Sequence, residues 1–208
     1  MKTTKNTRRR GGMLAGAAVA LSAAAIASAM PASAAAPIHY SFDLKGSSFI
    51  KAPNGTTALT GGVEADLDVT KPADNVTADL TLNPTKGDFQ ILGFLPVTAD
   101  IAFVQQGKTT GTYANSELTT DSKMFVKLSS FNVFGAVPIG GGDQCQTTQP
   151  SDIVLKSDGK FIPSKGGTLK TGDYSISSID NCGPLTGILN LFTAGSGNTI
   201  SLDLTAKA

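Results

Sequence analysis

Side chains able to do chemistry are scarce in this chain of 208 residues. His39 is the one histidine, so a Ser-His-Asp triad would have to be built on it. It lies close to the start of the expected mature chain, where termini are poor at holding a catalytic group in place. No G-x-S-x-G segment offers a nucleophile elbow. Cys145 and Cys182, the two cysteines, stand far apart with no neighbouring His, which suits neither thiol catalysis nor a zinc site. Gly140-Gly141-Gly142 is followed by no Lys-Ser pair and no helix signal, so it does not read as a phosphate cradle. Carboxylates remain, and a converging pair could hydrolyse a glycosidic bond. The sequence singles out no such pair, and three Tyr with no Trp leave little aromatic surface for stacking sugars. No catalytic residue and no cofactor is assigned, and a carboxylate-based hydrolase is the least favoured reading.

Two other constellations carry more weight. Three segments share the pattern V-x-A-D-[LI]-x-apolar: Val63 to Val69, Val76 to Leu82 and Val97 to Phe103. Their unequal spacing is not that of a solenoid. The aspartates Asp66, Asp79 and Asp100 fall at the same place in each. On neighbouring strands these like charges would repel, and a calcium ion would relieve them. Solvated polar-face acids explain them more simply, and no other metal site is indicated. The second constellation is apolar. Phe89, Ile91, Leu92, Phe94 and Leu95 crowd around Gly93 and Pro96, and Phe131, Val133, Phe134, Val137 and Ile139 form a similar run. Neither run alternates cleanly. Strands buried on both faces would explain that; an apolar cavity or exposed edge for a lipid-like ligand or a partner would as well. Phe89, Ile91, Leu92, Phe94, Leu95, Phe131 and Phe134 are the candidate apolar site.

Strands must position these groups, because apolar and polar residues alternate with period two along most of the chain. Tyr40, Phe42 and Leu44 alternate with Ser41, Asp43 and Lys45. The clearest hairpin joins Val63–Val69 to Val76–Leu82 through Lys71-Pro72-Ala73-Asp74-Asn75. Asn83 to Gly87 reads as the next turn, Phe89-Gln90-Ile91 as a short strand and Val97 to Gln105 as another. Thr110–Leu118 and Lys123–Phe134 read as two more, with a long loop over Gly135–Pro150. Ile153–Leu155, Thr168–Lys170, Tyr174–Ile179 and Asn198–Thr205 complete the set. One helix is expected over about 184–194: Pro184 opens it, Leu185, Ile188, Leu189 and Phe192 share a face, and Gly195 stops it. The expected fold is mainly β, an antiparallel β-sandwich or flattened barrel with that single helix.

The compartment follows from the first 34 residues. Lys2, Lys5, Arg8, Arg9 and Arg10 precede an apolar run from Met13 to Ala27, and Ala32-Ser33-Ala34 closes the segment. That is the three-part pattern of a cleaved secretory signal peptide. The run of about 15 residues is short for a spanning helix. Arg9-Arg10 also fits a twin-arginine signal, so the export route stays open. The expected secreted domain, residues 35–208, keeps 12 basic and 16 acidic residues for a net of −4, and every basic one is Lys. Such a surface excludes a nucleic-acid footprint and a polybasic membrane patch. In an exported chain the two cysteines read as one disulfide.

The Ala-rich signal, the segment Gly87-Asp88-Phe89-Gln90-Ile91-Leu92-Gly93-Phe94-Leu95-Pro96, and the stretches Cys182 to Thr186 and Gly197 to Leu202 resemble uncharacterised secreted β-rich proteins of actinomycete-type, high-GC Gram-positive bacteria. The resemblance implies secretion and carries over no activity and no functional residue. The function expected from the sequence is a secreted, non-catalytic binding or structural protein of the bacterial cell envelope or extracellular space, loosely wall-associated or free. The alternatives are a carrier of a small lipid-like ligand in an internal cavity and a secreted inhibitor. The partner expected is a protein, a cell-wall polymer or a lipid-like molecule, with no nucleic acid and no membrane-spanning segment.

Overall fold

The period-two pattern is realised along almost the whole domain. The computed structural model describes residues 35–208; the expected signal peptide, 1–34, lies outside the described residues. The strands are β1 (Ile38–Ile50), β2 (Gly55–Leu67), β3 (Val76–Leu82), β4 (Thr85–Ile91), β5 (Leu95–Gln105), β6 (Thr109–Ala114), β7 (Glu117–Val133), β8 (Val137–Gly140), β9 (Gln146–Thr147), β10 (Ser151–Ser157), β11 (Gly166–Lys170), β12 (Tyr174–Ile176), β13 (Ile179–Asp180) and β14 (Gly195–Ala206), with one helix, α1 (Thr186–Thr193).

They form one antiparallel sheet of 14 strands. It closes on itself: β1 pairs β2, β2 pairs β3, and the ring continues through β6, β7, β10, β11 and β14 back to β1. Of the two expected architectures, the barrel is therefore the one adopted. Closure removes the free edges that an open sheet would present.

The core of the barrel falls into two storeys. β7, 17 residues long, pairs β6 and β10 with its first half and β5 with its second. The β4–β5 hairpin rejoins β2 at Thr56↔Asp88 and Thr57↔Gly87. The upper core gathers Phe42, Leu44, Val63, Leu118, Met124 and Leu202. The lower core gathers Phe89, Val97, Ile101, Leu128, Phe131 and Leu189 around the cysteines. The expected Cys145–Cys182 disulfide is present, with Cα atoms 4.4 Å apart. It ties the segment between β8 and β9 to the entry of α1, and both cysteines are fully buried.

Several boundaries differ from expectation for local reasons. The turn between β6 and β7 sits at Asn115-Ser116, both at positive φ, a two-residue hairpin of the primed type; the strand thought to begin at Lys123 begins at Glu117. Thr85–Gly87, read as turn, belongs to β4. Gly135–Pro150 is not one loop, because β8 and β9 lie within it. The helix starts at Thr186 and not at Pro184; the Thr186 hydroxyl donates back to the Gly183 carbonyl at 2.6 Å. Its expected apolar face is split: Leu189 is buried, whereas Leu185 and Ile188 are exposed.

Side-chain amides complete the ladder where strands fail to meet. Gln105 accepts from Leu80 N–H at 2.6 Å and donates to the Ala78 carbonyl at 3.1 Å, stitching the end of β5 to β3. Asn75 serves Tyr113 in the same two-way manner, and Asn190 serves Ile179. Asn198 donates to the Tyr174 and Gly195 carbonyls and accepts from Lys51 N–H. Each replaces a missing backbone partner, as buried amide groups require.

Candidate functional site

The two ends of the barrel differ in chemistry. The upper end carries the 68–75 turn, the 158–165 loop and both ends of the described chain, with charges in each. The lower end carries the 51–54 turn, the tips of the β4–β5 and β7–β8 hairpins, and α1. Residues 89–99, 128–142 and 181–202 contain no Asp, Glu, Lys, Arg or His.

The two hairpin tips at this end are built alike. In one, Phe94 N–H donates to the Ile91 carbonyl at 3.3 Å; in the other, Ala136 N–H donates to the Val133 carbonyl at 3.2 Å. The residues bridged are Leu92-Gly93 (φ +56° and +75°) and Phe134-Gly135 (φ +53° and +67°). Glycine is at ease there, but a bulky L-residue is not. The tips adjoin, since Phe134 N–H donates to the Pro96 carbonyl at 3.0 Å and Val97 lies opposite Val133. Leu92, Phe94, Phe134 and Val137 are 65%, 74%, 68% and 55% exposed. Ile188 and Leu191 of α1 are exposed at the same end. A lone exposed apolar residue needs no explanation; neighbouring ones on two strained tips do.

The candidate apolar site is thus divided by the sheet. Phe89, Ile91 and Phe131 point into the lower core, Leu95 packs partly against it, and Leu92, Phe94 and Phe134 point out. Inside lie two apolar cavities of about 60 Å³ each. The upper one is bounded by Tyr40, Phe42, Val63, Tyr113 and Phe161. The lower is bounded by Phe89, Ile101, Phe103, Phe131 and Phe192, with the hydroxyls of Ser48, Thr57 and Tyr174 among its walls. Ser48 Oγ and Tyr174 Oη pair at 2.7 Å, and Thr57 Oγ1 is buried without a hydrogen-bond partner. Burial pushes the Tyr174 phenol up to about 12, with the Ser48 bond opposing.

The polar candidates lie apart from these. His39 joins Asp66 through Nδ1 at 2.8 Å and Glu64 through Nε2 at 3.1 Å. These two acceptors, Asp66 first, raise its pKa. Ser41 hydrogen-bonds Glu64 and not His39, and this bond chiefly lowers the Glu64 pKa. A shallow open recess of about 510 Å³ lies beside them, shared with Lys207. The three aspartates of the calcium hypothesis have separate partners: Asp66 takes His39, Asp79 takes Lys108, and Asp100 takes Ser130 at 2.5 Å and Lys86 at 3.5 Å. Among the described residues no three His, Cys, Asp or Glu come together as a metal site would require.

The chain matches no family model, no curated protein and no solved structure. Among the described residues no helix is long and apolar enough to cross a membrane.

Sequence reasoning named Leu92, Phe94 and Phe134 without separating them from the inward residues, and it missed the amide bridges. The signal for the tips was available: Leu-Gly and Phe-Gly stand where a hairpin usually places Asn-Gly.

Proposed function

We propose that this protein is a secreted, non-catalytic binding protein of the cell envelope or extracellular space, and that the lower end of the barrel is its binding face. One observation carries the reading. Leu92, Phe94 and Phe134 are held in the open on adjoining, charge-free tips, where polar residues would suit the solvent better and, at the positive φ of Leu92 and Phe134, the backbone too. Strain and exposed apolar surface that coincide are features of interaction sites. The polar cluster supports the same view. Both His39 nitrogens are engaged by carboxylates, and no hydroxyl is aligned on them.

The test is retention on the envelope fraction of the producing cells, comparing the natural protein with a Leu92→Asn/Phe94→Ser/Phe134→Asn variant. The natural protein should sediment with envelopes and the variant should stay in the medium. Equal recovery of both in the medium refutes the assignment.

A carrier role has one point in its favour, the unpartnered Thr57 hydroxyl beside the lower cavity. The space is small: about 60 Å³ against the roughly 300–1,000 Å³ of ordinary ligand sites. It suits a molecule of a few atoms, not a lipid.

A further inference from the structure

We infer that the partner of the lower end is a lipid surface, which the Leu92, Phe94 and Phe134 side chains enter as hydrocarbon; the inference rests on the binding reading above. Shape is the first argument. The exposed groups sit at the apices of two turns, a convex presentation. A protein partner, or a second copy of this chain, needs a matching rigid surface and roughly 1,200–2,000 Å² of total burial. A few protruding side chains do not supply that, whereas fluid acyl chains close around them.

Charge is the second argument. No ionisable residue lies in 89–99 or 128–142, so no side-chain charge in the two tips resists leaving water. The tips hold no basic residue to select anionic headgroups, and the exposed Lys51 of the 51–54 turn adds only a single positive charge beside them. The affinity should therefore be apolar, insensitive to salt and satisfied by neutral lipid.

The backbone is the third. Hydrocarbon tolerates no unpaired N–H. The N–H groups of Phe94, Phe134 and Ala136 are each spent inside the protein, and Pro96 and Pro138 beside the tips have none; the Leu92, Gly93 and Gly135 N–H groups find no backbone acceptor in the turns, so the apical backbone stays at headgroup level while the side chains reach the acyl chains. The charged upper end stays in water, which fixes the orientation with the barrel axis across the lipid interface and not along it.

The chain contains no Trp, so Phe94→Trp provides a single tryptophan at one tip, excited selectively at wavelengths where Tyr does not absorb. With phosphatidylcholine vesicles, its emission should shift to the blue and be quenched by lipids brominated along the acyl chains. Binding measured by co-sedimentation should survive raised salt, and the Leu92→Asn/Phe94→Ser/Phe134→Asn variant should partition at least about tenfold more weakly, with unchanged circular dichroism showing that it folds. No binding of the natural protein to vesicles, or binding only to anionic vesicles that salt abolishes, overturns the lipid inference. If the protein still holds to envelopes through its tips but ignores vesicles made from extracted envelope lipids, the lipid inference fails and the binding reading stands. If it holds to neither, both fail.

Discussion

Replacing Phe134 by Asn should make the protein more stable while removing a binding group. Phe134 sits at φ +53°, and the left-handed region costs a bulky residue roughly 1–2 kcal/mol more than one suited to it. Asn is among the few side chains that adopt it readily. Against this gain stands lost burial. The ring is 68% exposed, so about a third of the roughly 1.5–3 kcal/mol for a fully buried Phe is forfeited, near 0.5–1 kcal/mol. The turn bond from Ala136 N–H to Val133 involves only backbone and survives. The balance is a stabilisation of about 0.5–1 kcal/mol, or roughly 1–4 °C in Tm for a domain of this size. Leu92→Asn should behave alike, for the same backbone reason. Differential scanning calorimetry in lipid-free buffer measures it. Phe131→Ala, three residues before but buried, is the contrast and should cost about 3–5 kcal/mol. A fall in Tm for both Asn variants would refute the reasoning, since it would mean that the tip side chains serve the fold.

Further outcomes are expected elsewhere. Cys145→Ser/Cys182→Ser should lower stability by about 4 kcal/mol on the chain-entropy model, given the separation of 37 residues; calorimetry with and without reductant checks this. Asn190→Ala orphans the Ile179 N–H and carbonyl and should cost about 1–3 kcal/mol, with faster amide exchange confined at first to β13 and α1. The His39 pKa is raised from 6.5, so its contribution is present below that value and is lost as pH rises through the folded value; His39→Gln should flatten Tm on that side. Glu64, Asp68 and Asp100 are lowered from 4.5, 3.8 and 3.8, so their contributions are present above those values and vanish as pH falls through the depressed ones. Tm scanned against pH should therefore be highest between about 4.5 and 6.5, and a profile still rising at pH 8 would contradict the pairing.

The strands were legible because Val63 to Leu82 alternates and the structure pairs it as expected, with Val63 opposite Leu80 and Ala65 opposite Ala78. The disulfide followed from the even cysteine count. The first half of β2 was not legible: Gly55-Thr56-Thr57-Ala58-Leu59-Thr60-Gly61-Gly62 has too few apolar residues to display a period. Its membership depends on β1 beside it. Gly61, with no room for a Cβ against the Thr81 carbonyl, is there for close backbone approach and not for packing. Ring closure was equally hidden, since nothing local in Phe42 or Ala206 announces that they lie opposite one another. The apolar runs were recognised as anomalous, but sequence cannot separate a side chain that points inward, such as Phe131, from one three places on that points outward.

That pairing of the two extremes has a consequence for the order of events in folding. β1 is held on one side by its own hairpin partner and on the other by residues 199–206 of β14. A chain emerging N-terminus first can zip β1 to β2 early, but it waits for β14 before the ring can shut. Until then β1 and β11 keep bare rims, and the upper core stays open to water. Ring closure is thus timed by arrival of β14. A truncation that removes β14 would not trim the barrel; it would leave a curled sheet with two sticky borders.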